Sequence, residues 1–247
     1  MSIDSEKDLV GLRRAGRVVA LALAAMKEAV REGITTAELD GIAARVFDAN
    51  GARSAPRLAY GFPGSVCISV NDEAVHGIPG ARRLAKGDLV SLDVVVELDG
   101  YYADAAITVG VPPLADEAAR LVACAEAAFR KGARAARAGA RLLDVGGAVE
   151  DEVTRHGFEV IRDVCGHGVG RAIHEDPPVL NHRDGRATRR LEPGLVIALE
   201  PIVAVSARRT RETGDGWTLA SADGSLTAHH EHTLVVTRGR PIVITAA

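Results

Sequence analysis

The stretch SLDVVVELDGYYADAA, Ser91 to Ala106, constrains this chain more than any other. Two apolar runs flank Asp99-Gly100, and an Asp-Gly pair in that setting is the strongest short-range signal for a two-residue hairpin. With Asp99 and Gly100 at the turn, Leu98 faces Tyr101 and Val95 faces Asp104. Side chains alternate along a strand, so Asp93 shares a face with Val95. Asp93 and Asp104 are then diagonal neighbours on one face, within side-chain reach. A slip of one residue would send them to opposite faces. Two carboxylates this close in an apolar hairpin repel each other, and burying even one unpaired charge is costly. A shared proton, nearby arginines or a metal ion would each relieve the pair; an aspartate exposed at a sheet edge would need no relief.

Other segments carry the same tension. VIALEPIV sets Glu200 in an apolar run, where glutamate is rarely found without a partner. TAHHEHTLVV sets Glu231 in strand-like alternation with His229 and Thr233. In CGHGVGRAIHEDP, His167 stands between two glycines, with His174 downstream. No helix or strand packing accounts for His167 there, and glycine lets the backbone approach an ion or substrate closely. Asp93, Asp104, Glu200 and Glu231 with one imidazole form an oxygen-rich donor set that suits Mn, Fe(II), Co or Zn better than a thiolate site would. Their four negative charges match two divalent cations, and two ions about 3.5–4 Å apart, bridged by carboxylates and water, are a known hydrolytic device. Of His229, His230 and His232, only His229 shares a face with Glu231, and none of them is counted as a ligand. Tyr101 and Tyr102 read as edge packing.

Composition narrows the class. The 247 residues carry a net charge of −3, too mild to call for a nucleic-acid or membrane partner. The three cysteines, Cys67, Cys124 and Cys165, have no CxxC spacing and read as reduced thiols of a cytoplasmic protein. The opening MSIDSEKDLVGLRRAG lacks the basic-then-apolar order of a secretory signal. The run VVALALAAM falls well short of the roughly 20 residues of a membrane span. Helices are expected over about 5–32, ended by a left-handed Gly33, then from the Thr35/Glu38 capping box to Asn50-Gly51, and over about 115–138 and 143–156. Strands are expected at SVCISVN, on both sides of Asp99-Gly100, and at FEVIRD, GLVIALEPIVAV, GWTLAS and LTAHHEHTLVVT. The repeated order of helices then strands fits an α+β fold of two related halves around one sheet system.

The segments FPGSVCISVNDEAVHGIP, LDVVVELDGYYADAA, CGHGVGRAIHEDPPVLNH, LEPIV and HHEHTLVVT, in this order, resemble methionine aminopeptidase of type I, the bacterial kind among M24 metallopeptidases. The resemblance runs from about Ile3 to Thr245. It implies the α+β pita-bread (creatinase/aminopeptidase) fold: two pseudo-symmetric halves with antiparallel sheet and outer helices. A single catalytic domain over 1–247, with halves of approximately 1–112 and 113–247, follows from it. It also implies that Asp93, Asp104, His167, Glu200 and Glu231 hold two divalent metal ions, Fe(II), Co(II) or Mn(II), with Zn and Ni as alternatives. Asp93 would bind one ion through both oxygens, Asp104 and Glu231 would bridge, and His167 and Glu200 would complete the other.

By the same resemblance His76, His174 and Glu200 are the catalytic residues. Tyr60, Phe62, Cys67, Ile173 and Trp217 line the substrate pocket with His76 and His174. Arg57 and Ile173 depart from the family's usual small and phenylalanine residues, which bears on pocket shape. The implied activity is removal of the N-terminal methionine from peptides and nascent chains, with a small second residue preferred, by a hydroxide that the two metals activate. A cytoplasmic protein is expected, with monomer as the default state, no specific nucleic acid and no membrane; whether it docks on the ribosome is left open by the sequence. The rivals are an aminopeptidase P or prolidase, which usually carry an extra N-terminal domain, and a binding protein that kept the fold and lost catalysis.

Overall fold

The computed structural model describes residues 1–246. Helix α1 (Glu6–Ala29) starts at Ser5, whose hydroxyl accepts the Asp8 amide at 3.2 Å, with Glu6 and Asp8 at the positive end of the helix dipole. Leu12, Val19, Leu23 and Met26 are buried along one stripe. The helix stops at Ala29, earlier than expected: Gly33 N–H bonds to Leu84 O at 2.8 Å and Leu84 N–H to Ile34 O at 2.9 Å, and these contacts draw the chain away. Gly33 is left-handed (φ +82°), but it serves the turn into α2 (Thr36–Ala49) rather than the helix end. Both halves of the Thr35/Glu38 capping box form.

Next come β1 (Arg53–Ser54), α3 (Ala55–Tyr60), β2 (Cys67–Val70), β3 (Glu73–Val75), β4 (Leu89–Leu98) and β5 (Tyr101–Gly110). The short α3 was not legible in advance; Pro56 opens it and left-handed Gly61 closes it. The hairpin has the derived register: Leu98 faces Tyr101, Val95 faces Asp104, and Asp93 faces Ala106. Asp99 and Gly100 both take positive φ, 52° and 79°, as a type I′ turn demands. Tyr101 is not edge packing. It is buried beneath α1, where a Cβ on Gly11 would come within 2.3 Å of its ring.

The second half repeats the plan with α4 (Asp116–Ala135) and α5 (Leu142–Arg155). Strands β6 (Glu159–Val160), β7 (Gly166–Gly168), β8 (Glu175–Val179), β9 (Val196–Leu199) and β10 (Ile202–Ala204) follow. The chain ends with β11 (Thr210–Glu212), β12 (Leu219–Ser221), β13 (Thr227–His229), β14 (His232–Val235) and β15 (Ile242–Val243). One apolar core lies beneath α1 and α2 and another beneath α4 and α5.

All strand pairs are antiparallel, and among the described residues they form four sheets rather than one: β1-β4-β2 with β5 on β4, β13-β10-β6, β11-β12-β3 and β15-β14-β9-β7-β8. The expected continuous strands through Glu200 and Glu231 are each broken. Pro201 has no amide to give the ladder, and β9 pairs with β14 while β10 pairs with β13. Both strands therefore change ladders at the same level. His230 N–H bonds to Pro201 O at 3.2 Å, and Ala106 and Glu231 exchange backbone hydrogen bonds of 3.3 and 2.8 Å. The first bond joins the two breaks to each other, and the Ala106–Glu231 pair stitches them to the hairpin that carries Asp104.

His167 lies inside β7, paired with Ala198 of β9, so strand packing does place it. Its glycines serve close strand approach: a Cβ on Gly166 would sit 2.3 Å from Ala198 O, and one on Gly168 2.2 Å from Asp176 O. Neither neighbour is a movable side chain. Gly168→Ala is therefore expected to destabilise the protein by about 1–3 kcal/mol, read as a lowered denaturation midpoint.

Candidate metal centre and its cavity

The break brings four acidic side chains together from separate strands. Asp93 comes from β4, Asp104 from β5, Glu200 from the end of β9, and Glu231 from the β13–β14 connection. His167 completes the group from β7. Its Nε2 lies 3.7 Å from Asp104 Oδ2 and 3.5 Å from Glu200 Oε1. His167 Nδ1 is 2.8 Å from Gly168 O, so it carries the proton and leaves a lone pair on Nε2 facing the carboxylates. That is the tautomer and second contact expected of a metal-ligating histidine.

The cluster is uncompensated as it stands. Asp104, Glu200, Glu231 and His167 are buried, while Asp93 is partly exposed on the cavity wall. Asp104 Oδ1 and Glu231 Oε1 are buried without a hydrogen-bond partner. Burial pushes the carboxyl of Asp104 well above its usual range, with the charges of Glu231 and Asp93 adding to it. Burial, then Glu231 and Asp104, does the same to Glu200; burial and Asp93 do it to Glu231. Asp93 is also raised by burial, with the charge of His229 opposing. Burial, with the neighbouring charge of His174, lowers His167 to about 4, so the imidazole is neutral at physiological pH. Orphaned acceptors, mutually repelling carboxylates and a neutral imidazole are what divalent cations would satisfy, so the donor set fits the metal pair.

A cavity of about 470 Å³ opens onto this cluster, and the five expected metal ligands, His76, His174 and the expected pocket residues Tyr60, Phe62, Cys67, Ile173 and Trp217 line it. Cys67 faces Asp93 across the β2–β4 pair. Phe62 and Trp217 meet edge to face, ring centroids 5.2 Å apart. Tyr60 Oη lies 2.6 Å from His174 Nδ1, and His174 stands over His167 with ring centroids 4.3 Å apart. Ile173 and His76 complete the wall, His76 held in a left-handed conformation (φ 61°). Burial lowers His76 and His174, each further lowered by a neighbouring imidazole, His229 and His76 respectively.

His229 is the residue that sequence reasoning set aside. It is fully enclosed, with Nε2 unpartnered, 3.4 Å from Glu231 Oε2 and 3.8 Å from Glu200 Oε2. Glu200, His229 and Glu231 form a second buried group with metal-ligand spacing beside Asp104, His167 and Glu231. The period-two relation to Glu231 was the available signal. His230 and His232 turn away and pack tilted and edge-on against Phe129.

A buried carboxylate–imidazole cluster that could hold metal, set at a broken antiparallel sheet and facing an apolar slot, fits a metallohydrolase architecture. The chain belongs to metallopeptidase family M24, whose family model matches residues 10–238. Its relatives include methionine aminopeptidase 2 of Bacillus subtilis, 42% identical over 247 residues with 99% of each chain covered. The crystal structure of methionine aminopeptidase from Thermotoga maritima superposes over 100% of both chains, with a TM-score of 0.96 at 33% identity. The prolidase of Pyrococcus furiosus shares the fold, TM-score 0.78 at 20% identity, over 99% of this chain and 65% of its own. The expected pita-bread α+β fold is thus the observed one. Among the described residues no helix is long and apolar enough to cross a membrane.

Proposed function

We propose that this chain is a type I methionine aminopeptidase, acting as one catalytic domain over residues 1–247, with halves of approximately 1–112 and 113–247, that removes the N-terminal methionine from peptides and nascent chains. The observation that carries the reading is one cavity joining the buried acidic cluster to the Phe62–Trp217 slot. Asp93, Asp104, His167, Glu200 and Glu231 would hold two divalent ions, of which Fe(II), Co(II) and Mn(II) are the candidates, and His229 would support Glu200 and Glu231 from behind. When bound, the ions supply Lewis acidity: they polarise the peptide carbonyl and lower the pKa of water.

The chain's own groups do the rest. Glu200, whose carboxylate lines the cavity beside the acidic cluster, is suited to carry a proton to the leaving amine. A hydrogen bond donated by the Tyr60 hydroxyl to His174 Nδ1 would place the imidazole proton on Nε2, free to donate to the developing oxyanion. Phe62, Trp217 and Cys67 offer rings and sulfur to an unbranched thioether, with favourable sulfur–ring contacts. On this reading a small second residue is preferred, and the protein acts in the cytoplasm as a monomer.

The test is release of free methionine from Met-Ala-Ser, with Mn(II), Co(II) or anaerobic Fe(II), against an Xaa-Pro peptide. No release with any of the three metals would overturn the proposal, and preference for the Xaa-Pro peptide would turn it into a prolidase-like reading. His174→Ala is expected to lower kcat about 100-fold, the typical value of one oxyanion donor. A large rise in KM at unchanged kcat would remove His174 from that role.

A further inference from the structure

Phe62 is a fixed wall of the slot: it is 3% exposed and its amide donates to Pro56 O at 3.3 Å. The opposite wall, Trp217, stands on the turn between β11 and β12, a run that includes Gly214, Asp215 and Gly216, all exposed. Two glycines would leave such a turn loose. Asp215 closes it. Its Oδ1 accepts the amides of Trp217 and Thr218, both at 2.8 Å, and its Oδ2 accepts the Thr218 hydroxyl at 2.6 Å. Thr213 N–H completes the loop on Thr218 O at 3.0 Å.

We propose that Asp215 is a positioning residue for the substrate pocket: its carboxylate clasps the turn so that the Trp217 indole stands edge-on to Phe62 and sets the width of the slot. The proposal rests on the reading of this cavity as the pocket for the first side chain of a peptide.

Three features support it. The clasp is charge-assisted, and such bonds are roughly twice as strong as neutral ones. Partial desolvation would raise the carboxyl of exposed Asp215, but the hydrogen bonds from the Thr218 hydroxyl and the Trp217 and Thr218 amides outweigh it and hold the group well below the usual carboxylate range. The clasp is also fastened to the chemistry. Leu219, next to Thr218, pairs with Val75, next to His76, in the β12–β3 ladder. One carboxylate therefore fixes the tryptophan wall relative to the strand that leads into His76.

Trp217 is the one tryptophan among the 247 residues, so intrinsic fluorescence reads it alone, with no metal or substrate present. In Asp215→Ala the metal-free emission is expected to shift to longer wavelength and to become more accessible to acrylamide. With metal, KM for Met-Ala-Ser is expected to rise about tenfold, near the value of one charged hydrogen bond, with kcat held within about twofold. Asp215→Asn keeps an Oδ1 acceptor for both amides and should show smaller changes of the same kind. Thr218→Val leaves those two amide bonds intact, so its emission should match the parent. Parent-like emission, quenching and KM in Asp215→Ala would overturn the proposal. So would a fall in kcat at constant KM, or a Thr218→Val emission shift as large as that of Asp215→Ala. If the parent fails to cleave Met-Ala-Ser, the functional reading falls, while the fluorescence comparison still decides the clasp.

Discussion

Asp104→Asn should lose at least about 100-fold in peptide cleavage while the metal-free protein folds as well as the parent. Asp104 is 4% exposed, and its Oδ1 has no partner. The amide matches the carboxylate in shape, so the substitution leaves no cavity and disturbs no internal hydrogen bond of that side chain. The backbone bonds that seat Asp104, its N–H to Thr233 Oγ1 and its C=O from the Thr233 hydroxyl, both at 2.9 Å, do not depend on the side chain. What changes is charge. Burial, Glu231 and Asp93 all disfavour an ionised carboxylate here, so a neutral amide relieves repulsion in the metal-free state. The same change removes one of the negative charges that a cation pair needs. Loss of an outer partner of a metal ligand typically costs 10- to 100-fold in affinity or activity, and a ligand should cost at least as much. The paired measurements are turnover on Met-Ala-Ser and the melting temperature without metal. Near-parent turnover would sink the dinuclear assignment. A collapse of the metal-free fold would show that Asp104 is structural instead.

The hairpin explains how much of this site the sequence disclosed. An Asp-Gly turn fixes register, register fixes face, and the face puts Asp93 and Asp104 together before any coordinates exist. The capping box at Thr35 and the amphipathic stripes of α1 and α4 are likewise local. The break at Glu200 and Glu231 is not. It follows from two strands changing partners at one level, and periodicity within either strand carries no record of the other. For the same reason sequence pattern gives no strand packing for His167: its strand is three residues long, and the glycines that permit it are explained by Ala198 O and Asp176 O, distant in sequence. His229 lay on the right face by period two, but its enclosure by Glu200 and Glu231 is tertiary. The end of α1 failed in the same way, because contacts with Leu84 overrode a good glycine stop signal.

Metal should stabilise this protein as strongly as it activates it. The folded chain presents a converged acidic cluster that the unfolded chain does not, so cation binding is selective for the native state. At free metal 100-fold above the dissociation constant, linkage gives about 2.7 kcal/mol. For a chain of this size that corresponds to a rise of about 5–11 °C in melting temperature. A chelator should reverse the shift and the activity together. The gain should shrink as pH falls, because the ligands must be deprotonated to bind. The sign follows from the shifts: Asp104, Glu200 and Glu231 have carboxyls raised well above their usual range. Protons therefore compete at pH values above those at which exposed carboxylates titrate. His167, lowered to about 4, stays neutral through that window and adds no competition there. Thermal denaturation with and without Mn(II) at two pH values, for the parent and for Asp104→Asn, checks this. A shift equal in both proteins would place the stabilising ion elsewhere, and a shift that grows on acidification would contradict carboxylate ligation.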